Sequence, residues 1–176
     1  EAVTAILDGK RVLGDSRDIL EVENAKRAYD LIPELDPHSL EDLLLAHRTM
    51  MNGLVADAGR FRTGNVGVFA GDELIHAGTP ATYVPEVMAD IVGWLKATDM
   101  HPLLASCVFH FEFEFCHPFA DGNGRVGRAL SNYLLVLHGH PPIIIFDEDK
   151  MAYYGAMQVW DAEGDLRPML DLLRAE

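Results

Sequence analysis

Basic residues are scarce in this chain: 14 lysines and arginines stand against 28 aspartates and glutamates, a net charge of −14. Such a surface repels phosphate backbones, which argues against a nucleic-acid partner and against an anionic membrane. It still leaves room for a nucleotide, because a local nest of N–H groups with two arginines outweighs a distant, screened field. Cysteine is scarce as well. Cys107 and Cys116 sit in apolar company and read as buried free thiols of a reducing cytoplasm rather than as a disulfide. No apolar run approaches the roughly 20 residues that cross a bilayer, and there is no signal-peptide pattern, internal repeat or linker. The chain begins at Glu1 rather than Met, so an upstream segment is expected to have been removed.

What is present suits one globular domain. A length of 176 residues, 49% of them hydrophobic, is enough for a sizeable core. Eight histidines raise the question of a metal. The one His-x-His, His138 and His140, straddles Gly139 ahead of Pro141-Pro142 and has no third ligand nearby. It reads as a helix-end turn rather than a zinc site.

Along the chain, helical spacing dominates. Ala2 to Leu7 reads as a short helix, and Asp15 or Ser16 caps a second that runs to Leu31. A third starts after Asp36-Pro37-His38-Ser39, with Leu40, Leu43, Leu44, His47 and Met51 along its inner face. Between Gly59 and Ala81 the texture changes. Asn65 to Phe69 and Glu73 to His76 read as two short strands around Ala70-Gly71-Asp72, with an edge free to pair with a peptide. Pro85 and Pro102 each open a helix. The second is ambiguous, since Phe109, Phe111, Phe113 and Phe115 alternate as in a strand while Leu104, Val108 and Phe111 keep helical spacing. A helix follows through Leu130, Leu134 and Leu137, and two amphipathic helices close the chain, one with Tyr153, Tyr154, Met157 and Trp160.

The stretch His117-Pro118-Phe119-Ala120-Asp121-Gly122-Asn123-Gly124-Arg125-Val126-Gly127-Arg128 concentrates chemistry. Gly122, Asn123 and Gly124 before a helix free backbone N–H groups for an anion, at the positive end of the helix dipole. Arg125 and Arg128 share a face of its first turn and can clamp further phosphate oxygens. Asp121 is a hard oxygen ligand suited to Mg²⁺, and His117 has a pKa near that wanted of a general base. Each residue alone has a plain structural reading, but together they suggest a nucleotide phosphate attacked by a deprotonated hydroxyl. The same glycines spell Gly-x-Gly-x-x-Gly, with Asp147 further on, the fingerprint of a dinucleotide-binding oxidoreductase. Against that reading, Glu112 and Glu114 interrupt the strand-like run, five residues separate it from the glycines, and the flanks read as helix after helix.

His-Pro-Phe-x-Asp-Gly-Asn-Gly-Arg-x-x-Arg resembles the signature of Fic-domain proteins at every fixed position. Glu21-Val22-x-Asn24, Gly59-Arg60-Phe61-Arg62, His101-Pro102-Leu103 and Tyr153-Tyr154 fall in the order that family shows. The resemblance implies an all-α fold, a helical bundle with a short β-hairpin flap, as a single domain over 1–176. It would comprise N-terminal helices over 1–35, the flap over 59–81 and a catalytic helix-loop-helix over 102–139. It implies a protein adenylyltransferase that moves AMP from ATP to a Ser, Thr or Tyr hydroxyl of a protein. The alternative is an enzyme of the same fold that removes AMP or transfers another phosphate-bearing group. His117 would be the base, Asp121 the Mg²⁺ ligand, and Asp121 through Arg128, Val126 and Gly127 included, the ATP-binding stretch. Asn123 and Arg125 would contact phosphate oxygens and Arg128 would orient the γ-phosphate. Tyr153 and Tyr154 would border the adenine, and Val66, Gly67, Val68 and Phe69 would dock the target as an added strand. Family members also carry an inhibitory Ser/Thr-x-x-x-Glu-Gly/Asn helix acting on the second arginine, here Arg128. Thr4-Ala-Ile-Leu-Asp8-Gly9 imitates it with an acid one methylene too short and in the wrong register. The inhibitory helix is therefore expected upstream of Glu1 or on an antitoxin-like partner.

Overall fold

The computed structural model describes residues 2–10, 12–70 and 73–174. Helices follow one another as α1 (Ala2–Leu7), α2 (Ser16–Leu31), α3 (Leu40–Met50), α4 (Val84–Ala97), α5 (Pro102–Cys116), α6 (Asn123–Leu137), α7 (Lys150–Glu163) and α8 (Arg167–Arg174). The helical class read from the sequence is the one found. Asp15 caps α2 and Ser39 caps α3 through side-chain oxygens that accept from Arg17 and Asp42 N–H groups, as short polar residues at these positions do. Among the described residues, no helix is long and apolar enough to cross a membrane.

The ambiguous stretch is helix, and its alternation has a geometric cause. Two residues advance an α-helix by about 200°, so alternate phenylalanines point to opposite sides. Phe109 and Phe113 enter the main core, where α2, α3, α4 and α6 bring Ala28, Leu43, Met88 and Leu130. Cys107 and Phe111 enter a second, smaller core with Tyr153 and Ala156 of α7 and Met169 of α8. α5 is therefore central, apolar on two faces, and each buried phenylalanine contributes on the order of 2–3 kcal/mol. A helix in place of a strand before the glycines also removes the dinucleotide-fold reading. Cys107 and Cys116 are buried free thiols.

Between α3 and α4, β1 (Gly67–Ala70) and β2 (Glu73–Ala77) pair antiparallel, Gly67 opposite Ala77 and Ala70 opposite Glu73, with an irregularity at Val68/Phe69. The turn expected at Gly71 and Asp72 lies outside the described residues. Below the strands, the Gly78 N–H donates to the Val66 carbonyl (3.1 Å) and the Ala81 N–H to Asn65 Oδ1 (2.9 Å), closing the base of the pair.

Candidate active site

The site is built where α5 stops and α6 starts. The stop is His117, whose φ of 50° and ψ of 60° make it the one non-glycine residue of positive φ among those described. A left-handed backbone costs a residue with a Cβ about 1 kcal/mol, so something must hold it there. Arg62 does. Its guanidinium donates to the carbonyls of His117 (2.7 Å), Cys116 (3.2 Å), Gly64 (2.8 Å) and Thr79, and its own N–H donates to the Pro118 carbonyl (3.0 Å). Only 3% exposed, it is a cation solvated by carbonyl oxygens, and burial draws its pKa below the ordinary guanidinium value.

The loop that follows is locked from both sides. Phe119 is fully buried, and its main chain is closed on itself by Asn123: Oδ1 accepts from the Phe119 N–H and Nδ2 donates to the Phe119 carbonyl, both at 2.9 Å. His47 of α3 stacks face to face on the Phe119 ring, centroids 3.6 Å apart. Its Nδ1 accepts from the Gly59 N–H (2.9 Å), which leaves the proton on Nε2 to be donated to the Asp121 carbonyl (3.0 Å). Burial lowers the His47 pKa and favours this neutral tautomer. Gly122 has φ +85°, and a Cβ there would meet Met51 Sδ at 2.6 Å, so the turn into α6 admits glycine alone without movement.

Beyond that turn lies the anion-seeking end of α6. The N–H groups of its first residues have no intrahelical acceptor, and Gly124 carries Arg128 close above it, Nη1 3.0 Å from where a Cβ would be. Asp121 is exposed. Its Oδ1 accepts from the Gly122 N–H (2.6 Å) and pairs with Arg125 (3.4 Å), which also pairs with Glu21 of α2 (3.5 Å). Its other carboxylate oxygen makes no hydrogen bond or ion pair among the described residues.

His117, Gly124, Arg128, Tyr153 and Tyr154 line one open cleft of about 290 Å³, at the small end of the range for small-molecule sites. Its back wall is polar and largely buried. Tyr153 hydrogen-bonds His110 Nε2, and burial pushes the Tyr153 phenol up and His110 down to about 4, so both are neutral at pH 7. Glu114 also lines the cleft; burial lifts its carboxyl to about 7, against the pull of Arg128.

The structure thus gathers His117, Gly124, Arg128 and the two tyrosines, with Asp121, Gly122 and Arg125 at the rim of the same helix end. Not every expected residue lines the cleft. Val126 is fully buried in the main core, and Gly127 is where α5 presses on α6, a Cβ there meeting Glu114 Oε1 at 2.6 Å. Both lie in the packing between the helices. The Asn123 amide is likewise spent on Phe119, which leaves its main-chain N–H to face an anion. Val66 and Gly67 are half-buried at the foot of the strands. His47 and Arg62 brace the cleft's loop and Glu114 lines the cleft, though spacing alone did not single them out. For His47 and Glu114 the available signal was one polar side chain among apolar neighbours.

The Fic/DOC family model matches residues 37–135. The chain is 32% identical over 174 residues to protein adenylyltransferase fic-1 of Caenorhabditis elegans, covering 94% of this chain and 32% of that protein. It is 35% identical over 138 residues to the protein of the same name from Caenorhabditis briggsae, covering 75% and 26%. Among solved structures, a Fic family protein from Desulfovibrio desulfuricans G20 superposes with a TM-score of 0.88 at 45% identity, over 98% of this chain and 55% of that one. Fic-1 of C. elegans superposes at 0.79 and 31% identity, over 97% and 52%. The chain spans about a third of the length of the curated relatives it matches.

Proposed function

Since the chain belongs to the Fic/DOC family, we propose that it is a protein adenylyltransferase, moving AMP from ATP to a hydroxyl side chain of a protein and releasing pyrophosphate. The observation that carries this reading is a single cleft in which His117, the N-terminus of α6 and Arg128 converge beside Tyr153 and Tyr154. The phosphates lie against the N–H groups of Asn123 and Gly124, which need no reorganisation as charge develops in flight, while the Gly122 N–H is held by Asp121 Oδ1. Arg128 orients the terminal phosphates so that pyrophosphate leaves in line, and the tyrosines border the adenine. His117 takes the proton of the attacking hydroxyl; the new bond joins that oxygen to the α-phosphorus as the bond to pyrophosphate breaks. The exposed Asp121 oxygen suits Mg²⁺, which needs one or two carboxylates and otherwise binds water and phosphate. When bound, the ion supplies neutralisation of phosphate charge. Asp121 and Arg125 then hold opposite signs at the same rim, a graded environment for an anion.

The target segment adds as a strand to the edge of the β1–β2 pair around Val66 to Phe69. Arg62 supports this assignment, since one guanidinium grips both the foot of the pair and the His117 backbone. Acceptor hydroxyl and base are then set by one residue. An acid placed on Arg128, from a helix elsewhere in the protein or from an antitoxin-like partner, would restrain the enzyme by competing with phosphate. The two free thiols suit a cytoplasmic setting. Incubation with ATP labelled on the α-phosphate, Mg²⁺ and a cell lysate tests the activity. Protein labelling by wild type that His117→Ala abolishes is expected; labelling that is absent, or indifferent to His117→Ala, rejects it.

A further inference from the structure

Glu114 has no task in the scheme above. It stands three residues before His117 on α5 and lines the same cleft, with its Oε1 sealed from solvent and without a hydrogen-bond partner. Buried polar atoms are nearly always paired, so an orphan carboxylate oxygen in the wall of a site asks for an explanation. It is pressed against the first turns of α6, 2.6 Å from where a Cβ on Gly127 would stand. The titratable groups around it are Arg128 of α6, Tyr153, Tyr154 and Asp161 of α7, His110 of its own helix and His117 just past that helix's end.

We propose that Glu114 is the proton-linked partner of nucleotide binding, a carboxylate that takes up one proton from solvent when a nucleoside polyphosphate enters the cleft. The inference rests on the reading of the cleft as a nucleotide site. The Arg128 guanidinium favours the ionised acid. A polyphosphate changes both sides of that balance: it engages the guanidinium with its own oxygens and brings several negative charges beside the carboxylate. A carboxylate left there repels the ligand; the neutral acid does not. Burial has already raised the acid to about 7, so a modest further push changes its charge near neutral pH. His110 and Tyr153, both neutral there, contribute no competing proton.

Calorimetric titration with the α,β-methylene analogue of ATP, in two buffers of different ionisation enthalpy, counts the protons. At pH 8 wild type should take up more protons per nucleotide than Glu114→Gln, by up to one, a difference that cancels titration of the ligand. Because protons are taken up, wild-type affinity should fall by up to about tenfold per pH unit above pH 7, while Glu114→Gln stays flatter. Equal uptake by the two proteins, with binding intact, overturns the proposal. Failure of both to bind the analogue rejects the nucleotide site itself, and the proposal with it. Should Glu114→Gln not fold, infrared difference spectra of wild type decide: a protonated-carboxyl band that grows on adding the analogue supports the proposal, and none overturns it.

Discussion

His117 is held in an unfavourable conformation by a side chain 55 residues away, and this is the site's most exacting local arrangement. Arg62 reaches four carbonyls with a planar fork of five donors; a lysine has three donors at one point and a more strongly hydrated charge. Arg62→Lys should therefore lose at least one buried hydrogen bond and destabilise by about 1–3 kcal/mol. Labelling should fall further than the folded fraction does, because the His117 backbone is released from its left-handed turn. Denaturant melts beside labelling rates separate the two effects, and losses in strict proportion would count against the anchoring role. His47 teaches the same lesson about legibility. In sequence it is one histidine on a leucine-rich helix face, where a satisfied core residue is the ordinary expectation. Its bonds to Gly59 and Asp121 come from the tertiary fold, the second across 74 residues. The groups of the signature were readable because they act from adjacent positions; their supports were not, because nothing local marks them.

Among the elements, α5 and α6 form the closest helix pair around the site, and Gly127 sets their separation. The usual preference of a helix interior for alanine over glycine, about 1 kcal/mol, is outweighed there, since the new Cβ would stand 2.6 Å from Glu114 Oε1 and 3.0 Å from Phe113 Cδ1. Gly127→Ala should cost about 1–3 kcal/mol as the helices part. Gly93 in α4 meets nothing within 4 Å, so Gly93→Ala should instead stabilise by up to about 1 kcal/mol. Thermal melts of the pair test whether crowding or propensity governs each position; equal shifts would refute the packing argument. Both caps and the proline starts were legible in the sequence. α5 was not, because a helix buried on two faces loses the polar stripe that periodicity needs. Its phenylalanines then alternate for the same reason that a strand's do: they serve two opposite surfaces.

Taken as a whole, the molecule balances two buried titrations of opposite sign. Glu114 binds its proton more tightly folded than unfolded, rising from 4.5 to about 7, so the stability it lends is complete at low pH and is lost as pH climbs through that window. His110 binds its proton less tightly folded, falling from 6.5 to about 4, so stability is lost as pH descends through that window. His47 shifts in the same direction as His110. Between about pH 4.5 and 6.5 the Glu114 and His110 slopes oppose one another and nearly cancel, leaving the His47 contribution. Glu114→Gln removes one arm and leaves the other. Its stability should therefore rise with pH across this range. Its advantage over wild type should grow by roughly 2 kcal/mol between pH 5 and pH 7.5, because a tenfold difference in proton affinity is worth about 1.4 kcal/mol. Denaturant midpoints of the two proteins at both pH values test this, and an advantage that does not change with pH would show that the Glu114 acid is not raised in the folded protein. A buried, partly uncompensated carboxylate in the cleft wall is thus a cost borne by the whole fold, and that cost falls when a ligand or a neutral side chain removes the charge.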